Sequence, residues 1–194
     1  SDPIEWLGNC WHQSSTRTCS GPTIVSPSAV RRERRPLTTQ PSVVGPGGGR
    51  DLVSALVFGA SHVDGVEINP IIADDVMRNR FRDFSGGIYT NPRVRIAVDD
   101  GRSFVRRTPD RYDVIQASLV DTWAATAAGA YTLTENTLYT VDAFNDYLDH
   151  LNETGVLSIT RWVADGLRLV SLAQAACEAR GWSAAERLVI VRHG

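Results

Sequence analysis

The sequence predicts an α/β fold in which a mostly parallel sheet carries helices on both faces, and three observations support this class. Short apolar runs typical of strands alternate with amphipathic stretches typical of helices over residues 42–191. A glycine-rich loop at residues 45–49 follows the first of these strands. Polar motifs follow the next strands, and ligands of parallel sheets bind at that edge. The combination indicates a covered sheet with a ligand site at the carboxyl ends of its strands.

The first half of the predicted sheet contains three strands. Residues 42–44 form a short apolar run that leads into the glycine loop. Further strands are expected at residues 62–68 and 93–98, and the second of these alternates apolar and polar positions. The helices between and after them are expected at residues 51–58, 70–84 and 101–107, where Pro70 suits a first helical turn.

The second half continues the alternation. Strands are predicted at residues 112–119, 155–160 and 188–191, with helices at residues 141–151 and 167–180.

Composition narrows the class of protein. A chain of 194 residues with 42% hydrophobic and 22% charged residues is typical of one soluble domain, and we expect it to be cytoplasmic. A net charge of −2 argues against nucleic acid as a partner. No apolar run is long enough to span a bilayer. No metal is expected, because none of the spacings typical of zinc sites occurs among Cys10, Cys19 and Cys177.

Residues 1–40 differ from the remainder of the chain. They are rich in Ser, Thr, Pro and Arg and show no sustained periodicity. A segment of that composition buries too little apolar surface to offset the loss of chain entropy. We therefore expect a poorly ordered segment over residues 1–40 and a folded ligand-binding domain over residues 41–194.

The glycine loop is the first candidate site. Gly45, Gly47 and Gly49 give a G-x-G-x-G spacing, in which the backbone can approach a ligand closely. The dinucleotide pattern G-x-G-x-x-G would need glycine at position 50, where Arg50 stands. This spacing favours a nucleoside with an amino-acid tail over a pyrophosphate and argues against a nicotinamide-dependent oxidoreductase. A plain turn is the alternative interpretation.

Two acidic motifs follow the next two strands. Glu67 lies some twenty residues after the glycine loop, where a carboxylate can accept two hydrogen bonds from ribose hydroxyls. The alternative, a helix cap, suits Asn69 better. Asp100 can accept a hydrogen bond from an adenine amino group, and Gly101 lets the chain bend beneath the ring. Asp100 can also cap the helix that follows.

These motifs resemble those of the spermidine synthase family, within the class I S-adenosylmethionine-dependent methyltransferase superfamily. The resemblance covers residues 43–162 and is carried by the glycine loop together with Val66-Glu67-Ile68-Asn69-Pro70, Asp99-Asp100-Gly101-Arg102, Tyr112-Asp113-Val114-Ile115, Leu138-Tyr139-Thr140 and Gly155-Val156-Leu157. It implies a Rossmann-like class I methyltransferase fold, whose complete sheet ends in a hairpin with the final strand antiparallel beside the fifth. Because the sequence stops at Gly194, just after the sixth candidate strand, we expect this hairpin to be incomplete and the chain to be a fragment. It also implies a donor of the S-adenosylmethionine type, with Glu67 on the ribose and Asp100 near the adenine.

Two positions depart from the family pattern. Aminopropyltransferases usually carry an aspartate inside the glycine loop, where this chain has Gly48. They also carry a D-S-S-D-P motif after the fourth strand, where this chain has Ser118 in the first aspartate's place and retains the second as Asp121. A serine hydroxyl is not a general base at neutral pH without an activating partner. These departures argue against the family's usual putrescine chemistry.

The acceptor side is expected at the end of the fourth strand, beside the reactive sulfonium. Asp121 is the acid best placed to orient or deprotonate an acceptor amine, with Ser118 and Gln116 contributing hydrogen bonds. Trp123 and Tyr131 either line the acceptor pocket or serve packing. Asp113 begins the strand, away from the ligand edge, and is expected to be structural.

The expected function is transfer of an aminopropyl or methyl group from S-adenosylmethionine or its decarboxylated form, which serves as the donor substrate. The acceptor is expected to be a small molecule, an amine. The alternative is a catalytically degenerate domain that binds a nucleoside for regulation. A homodimer and a membrane-fused parent protein both stay open.

Overall fold

The computed structural model describes residues 23–24, 39–120 and 137–191. The strands are β1 (Thr23–Ile24), β2 (Pro41–Val44), β3 (Val63–Glu67), β4 (Val94–Val98), β5 (Tyr112–Ser118), β6 (Leu151–Thr160) and β7 (Ile190–Val191). The α-helices are α1 (Arg50–Val57), α2 (Gly101–Arg107), α3 (Val141–Asp149), α4 (Gly166–Ala179) and α5 (Ala184–Arg187). A π-helix spans Ile71–Arg80, and single 3₁₀ turns occupy Ile88–Thr90 and Val163–Asp165.

The sheet has the order β4-β3-β2-β5-β6-β1-β7 within the described residues. Strands β2 to β6 pair with one another in parallel, with Val43 paired to Gly65 on one side and to Gln116 on the other. The chain builds outward from β2 to β4 and then returns to build outward through β5 and β6. The order therefore reverses between β2 and β5, and open parallel sheets bind ligands at the carboxyl ends of the strands at such a point.

The centre of the sheet is buried on both faces. All residues of β2 and β3 are buried, as expected of parallel strands covered by helices on both sides. Successive side chains alternate between faces, so Val43 packs with Leu52 of α1 whereas Val44 packs with Phe144 of α3. Helices on opposite faces thus hold the carboxyl end of β2 from two sides.

Most predicted elements are confirmed, with bounds that shift by one to a few residues. The two largest changes are of four residues each: the helix predicted over residues 70–84 is a π-helix that ends at Arg80, and β6 starts at Leu151 rather than at residue 155. Leu151 pairs with Tyr112, and a register irregularity follows before Val156 pairs with Val114. The residues between Leu151 and Val156 are polar or glycine, so hydrophobic periodicity did not indicate this strand start. The helix α5 was not predicted.

The N-terminal strand β1 occupies an unexpected position. Thr23 pairs antiparallel with Thr160 of β6 and with Val191 of β7. The place between these two strands is the one expected for the final antiparallel strand of the hairpin. The structure thus fills that place with a short strand from residues 1–40, the segment predicted to be poorly ordered. Of residues 1–40, the structure describes only 23–24 and 39–40, so the prediction for the other residues lies outside the described part of the chain.

The described helices are short, and the longest of them, α4, has 14 residues. None of those within residues 23–24, 39–120 and 137–191 is long and apolar enough to cross a bilayer.

Candidate functional site

The glycine loop lies at the carboxyl end of β2, where the strand order reverses. Gly45, Gly47 and Gly49 have φ angles of 66°, 49° and 84°, in the left-handed region that favours glycine. A Cβ atom on Gly45 would lie 2.8 Å from Val120 Cγ1, and one on Gly49 would lie 2.7 Å from Ile88 Cγ2. These two glycines are therefore required by both conformation and space. Gly48 has neither constraint and is exposed.

Glu67 joins this loop to the end of β3. Its Oε2 accepts a hydrogen bond from the Gly47 amide at 3.2 Å, and its Oε1 accepts one from the Asn69 amide at 3.0 Å. The residue is only 5% exposed, so two backbone donors compensate the loss of water around the charge. Asn69 Oδ1 in turn accepts from the Ile71 amide at 3.0 Å, which confirms Asn69 as the polar cap at this helix start.

Tyr89 is a part of the site that the sequence analysis missed. Its hydroxyl donates to the Gly47 carbonyl oxygen at 2.7 Å, so the amide and the carbonyl of Gly47 are both held. Burial raises the pKa of Tyr89 well above its usual range, and the negative charge of Glu67 raises it further. The hydroxyl therefore stays a donor at any physiological pH. No local pattern marks this tyrosine, because it acts on a loop 42 residues away.

Asp100 and Gly101 lie at the end of β4, beside Glu67. The Asp99 amide donates to the Glu67 carbonyl oxygen at 3.1 Å, which joins the two strand ends. Asp100 Oδ1 accepts from the Ser103 amide at 2.8 Å and so caps α2, as the alternative interpretation expected. Gly101 is buried, and a Cβ atom there would lie 2.5 Å from Val44 Cγ1. Close packing against β2 is thus a sufficient reason for glycine at this position.

The acceptor side begins at the end of β5. Ser118 Oγ accepts a hydrogen bond from Gln116 Nε2 at 3.0 Å, so these two predicted residues lie together. The next residue, Leu119, has a φ of 52°, the one positive value for a non-glycine residue in the described chain. Asp121, Trp123 and Tyr131 lie outside the described residues.

Asp113 lies away from this edge, as predicted. Its Oδ2 accepts from the Gln40 amide at 3.1 Å and its Oδ1 from Asn152 Nδ2 at 3.0 Å. The side chain thus ties the starts of β5, β2 and β6 together, and its role is structural.

A cavity of about 350 Å³ lies elsewhere in the fold, beside the amino-terminal half of β6. Its lining is mostly apolar and includes Phe144, Leu157 and Cys177. None of the predicted site residues lines this cavity. The carboxyl edge of the sheet, by contrast, contains the buried Glu67 carboxylate, which is fixed by the amides of Gly47 and Asn69.

The sequence is similar to a known protein family and to a curated protein. The family model described as "Spermine/spermidine synthase domain" matches residues 42–163. The polyamine aminopropyltransferase of Pectobacterium carotovorum subsp. carotovorum (strain PC1) is 30% identical over 98 residues, which are 50% of this chain and 31% of that protein. The chain thus spans about a third of the length of that curated relative.

Solved structures show the same fold. Spermidine synthase from Thermotoga maritima matches with a TM-score of 0.54 at 20% identity, over 72% of this chain and 44% of that one. A spermidine synthase in complex with the transition state analogue AdoDATO gives 0.53 at 20% identity, over 72% and 43%. The ribosomal protein L11 methylase of Lactobacillus delbrueckii subsp. bulgaricus gives 0.51 at 18% identity, over 78% and 64%.

The predicted Rossmann-like class I methyltransferase fold is therefore confirmed. The family match covers 42–163, more than half of the chain, and contains the glycine loop, Glu67, Asp100 and Ser118. The chain belongs to the spermine/spermidine synthase family.

Proposed function

We propose that this domain binds S-adenosylmethionine or its decarboxylated form and transfers a group from it to a small amine. The observation that carries the proposal is the contact between Glu67 and the glycine loop. A buried carboxylate, fixed by the amides of Gly47 and Asn69, lies where the strand order reverses. Each carboxylate oxygen has a second lone pair with which to accept a ribose hydroxyl.

The residues around Glu67 suit the rest of an adenosyl ligand. Ile68, the next residue, is 48% exposed and offers an apolar flank to a purine ring. Asp100 keeps a second carboxylate oxygen for an exocyclic amino group while its Oδ1 caps α2. The exposed Gly48 leaves room in the loop for the tail of the ligand. We assign the ribose to Glu67, the adenine edge to Asp100 and Gly101, and the tail to Gly45, Gly47 and Gly49.

The transfer itself is an in-line displacement. The lone pair of the acceptor nitrogen attacks a carbon attached to the sulfonium, the C–S bond breaks, and its electron pair returns to sulfur as a neutral thioether. The nitrogen then loses one proton to a base. The protein's contribution is to hold both reactants in line and to keep the amine neutral. We assign the base to Asp121, with Ser118 and Gln116 as hydrogen-bonding partners of the acceptor.

The group transferred depends on which donor binds. A decarboxylated donor has a cationic tail, and the family's usual loop aspartate would complement it. Gly48 brings no charge to this position, so a cationic tail would lack the partner that the family's usual aspartate provides. This observation favours methyl transfer as a second candidate beside aminopropyl transfer.

Calorimetric titration tests the proposal. The purified chain is titrated with S-adenosylmethionine, its decarboxylated form, methylthioadenosine and NAD, and then assayed with a panel of amines. We expect heat with the three adenosyl-sulfur compounds and none with NAD. Absence of heat with all three would refute the donor assignment. Binding without turnover of any amine would instead favour the regulatory, non-catalytic alternative.

A further inference from the structure

Arg161 follows β6 and reaches across to the end of β5. Its Nη1 donates to the Val120 carbonyl oxygen at 3.3 Å. That carbonyl belongs to the peptide unit that leads into Asp121, and a peptide unit moves as one plane. A group that holds the Val120 carbonyl therefore restricts the backbone at the point where the acceptor side begins.

The guanidinium of Arg161 is itself held firmly. Its Nε and Nη2 lie 3.2 Å and 3.0 Å from Asp165 Oδ2, and its Cζ lies 4.8 Å from the centre of the Tyr139 ring. The side chain is only 11% exposed. One edge of the planar group thus faces Asp165, one face covers Tyr139, and Nη1 is left directed at Val120. Lysine could not reproduce this arrangement, because an ammonium group lacks the planar fork.

The strand end that Arg161 holds has an unfavourable backbone conformation. Leu119 has a φ of 52°, which a non-glycine residue keeps only where the surroundings determine it. The Leu119 amide donates to the Thr160 carbonyl oxygen at 2.9 Å, which fixes one side of the turn. The Arg161 contact to Val120 fixes the next carbonyl. Both restraints come from the carboxyl end of β6.

The same strand end packs against the glycine loop. Gly45 lies so close to Val120 that a Cβ atom on it would be 2.8 Å from Val120 Cγ1. Val120 therefore contacts the glycine loop through its side chain and Arg161 through its carbonyl. We infer that Arg161 is a positioning residue, which holds Val120, at the start of the acceptor side, at a fixed distance from the glycine loop. This inference rests on the proposed function.

Two substitutions and a matched control test this inference. Arg161→Lys keeps the charge and loses the fork. Asp165→Asn keeps Arg161 but weakens the group that orients it, and it serves if the Arg161 variant does not fold. Arg168→Gln is the control, because Arg168 Nη2 donates to the Tyr139 carbonyl oxygen at 3.3 Å and so lies in the same region. Tyr139 lies just before α3 and not on β5.

Amide hydrogen exchange is the first measurement. In Arg161→Lys we expect the Leu119 amide to exchange about tenfold faster, with a smaller rise in Asp165→Asn and no change in Arg168→Gln. The amides of Val43 and Val66, in the centre of the sheet, should change by less than about twofold. Equal acceleration at all three amides would show a global stabilising role and overturn the inference, as would an unchanged Leu119 amide.

Steady-state kinetics is the second measurement. We expect kcat to fall on the order of tenfold to a hundredfold in Arg161→Lys while KM for the donor stays within about twofold, because misplaced reactants slow the chemical step. An unchanged kcat with a raised KM would contradict a positioning role. If the unaltered chain binds no adenosyl-sulfur donor, the proposed function fails, and the exchange measurement still decides whether Arg161 holds this strand end.

Discussion

The Gly47 amide and the Glu67 carboxylate, 20 residues apart in the sequence, lie 3.2 Å apart at the carboxyl edge of the sheet. The contact links the glycine loop after β2 to the acid that ends β3. A carboxylate that accepts backbone hydrogen bonds is fixed in place before any ligand arrives, so little conformational entropy is lost on binding. Pre-organisation at this edge is the basis of the predictions that follow.

Tyr89 should increase ligand affinity indirectly, by holding the glycine loop in place. Tyr89→Phe removes one hydrogen bond to the Gly47 carbonyl and should weaken methylthioadenosine binding about threefold to tenfold. Tyr147→Phe is the matched control, because its buried hydroxyl donates to the Leu138 carbonyl oxygen, away from the loop. Both variants should lose about 1 kcal/mol of unfolding free energy. Calorimetry that shows equal affinities in the two variants would remove Tyr89 from the site.

Gly49 and Gly48 should respond differently to the same substitution. Gly49→Ala places a Cβ atom 2.7 Å from Ile88 Cγ2 at a φ of 84° and should cost about 1–3 kcal/mol in unfolding free energy. Gly48→Ala adds a Cβ atom in open space and should change stability by less than about 0.5 kcal/mol. Urea denaturation of both variants measures the difference. Equal losses would mean that the loop does not have this conformation in solution.

Asp64 should contribute to stability but not to ligand binding. It is fully buried in the first half of β3, where Arg95 contacts both of its carboxylate oxygens and Tyr112 donates to Oδ2 at 3.0 Å. Asp64→Asn removes a buried charge that is paired with the half-exposed Arg95 and hydrogen-bonded to Tyr112, and it should cost about 1–3 kcal/mol. Asp110→Asn, which removes the exposed partner of Arg95, should cost less than about 1 kcal/mol. Similar losses in the two variants would argue against the buried network.

Alkaline pH should destabilise the fold through its buried tyrosines. Burial, with the nearby Asp64 charge, raises the pKa of Tyr112 to about 12. Because the folded pKa lies above the unfolded one, this contribution to stability is complete below about pH 10 and is lost as the pH rises towards 12. Guanidinium denaturation at pH 9 and pH 11 should show a lower unfolding free energy at pH 11. In Tyr112→Phe the decrease should be smaller; an identical decrease would contradict the assignment.

The parallel core was predictable because each of its elements carries a local signal. Strand β2 is a short apolar run, β3 has valines on both sides of Asp64 and Gly65, and α1 has apolar residues at helical spacing. The short elements were not predictable. A two-residue strand such as Thr23–Ile24 has no periodicity, and it forms only because β6 and β7 present backbone groups on both of its sides.

The candidate site divides in the same way. Glu67, Asp100 and the glycines could be predicted as candidate site residues because each lies in a short motif at a predicted strand end. Tyr89 and Arg161 were missed because they contact backbone carbonyls 42 and 41 residues away, and such partners are visible only once the chain is folded. The strain at Leu119 is likewise a product of tertiary contacts, since leucine has no preference for a positive φ.

Titration of Glu67→Gln with methylthioadenosine tests the central claim, that this edge of the sheet binds an adenosyl-sulfur donor through Glu67. Exposed Glu153, on β6, provides the matched control as Glu153→Gln. Thermal unfolding should first show that both variants are folded. We predict that Glu67→Gln weakens binding at least about tenfold, because hydrogen bonds to a charged acceptor are lost, while Glu153→Gln binds as tightly as the unaltered chain. Equal affinities in the two variants would contradict the claim.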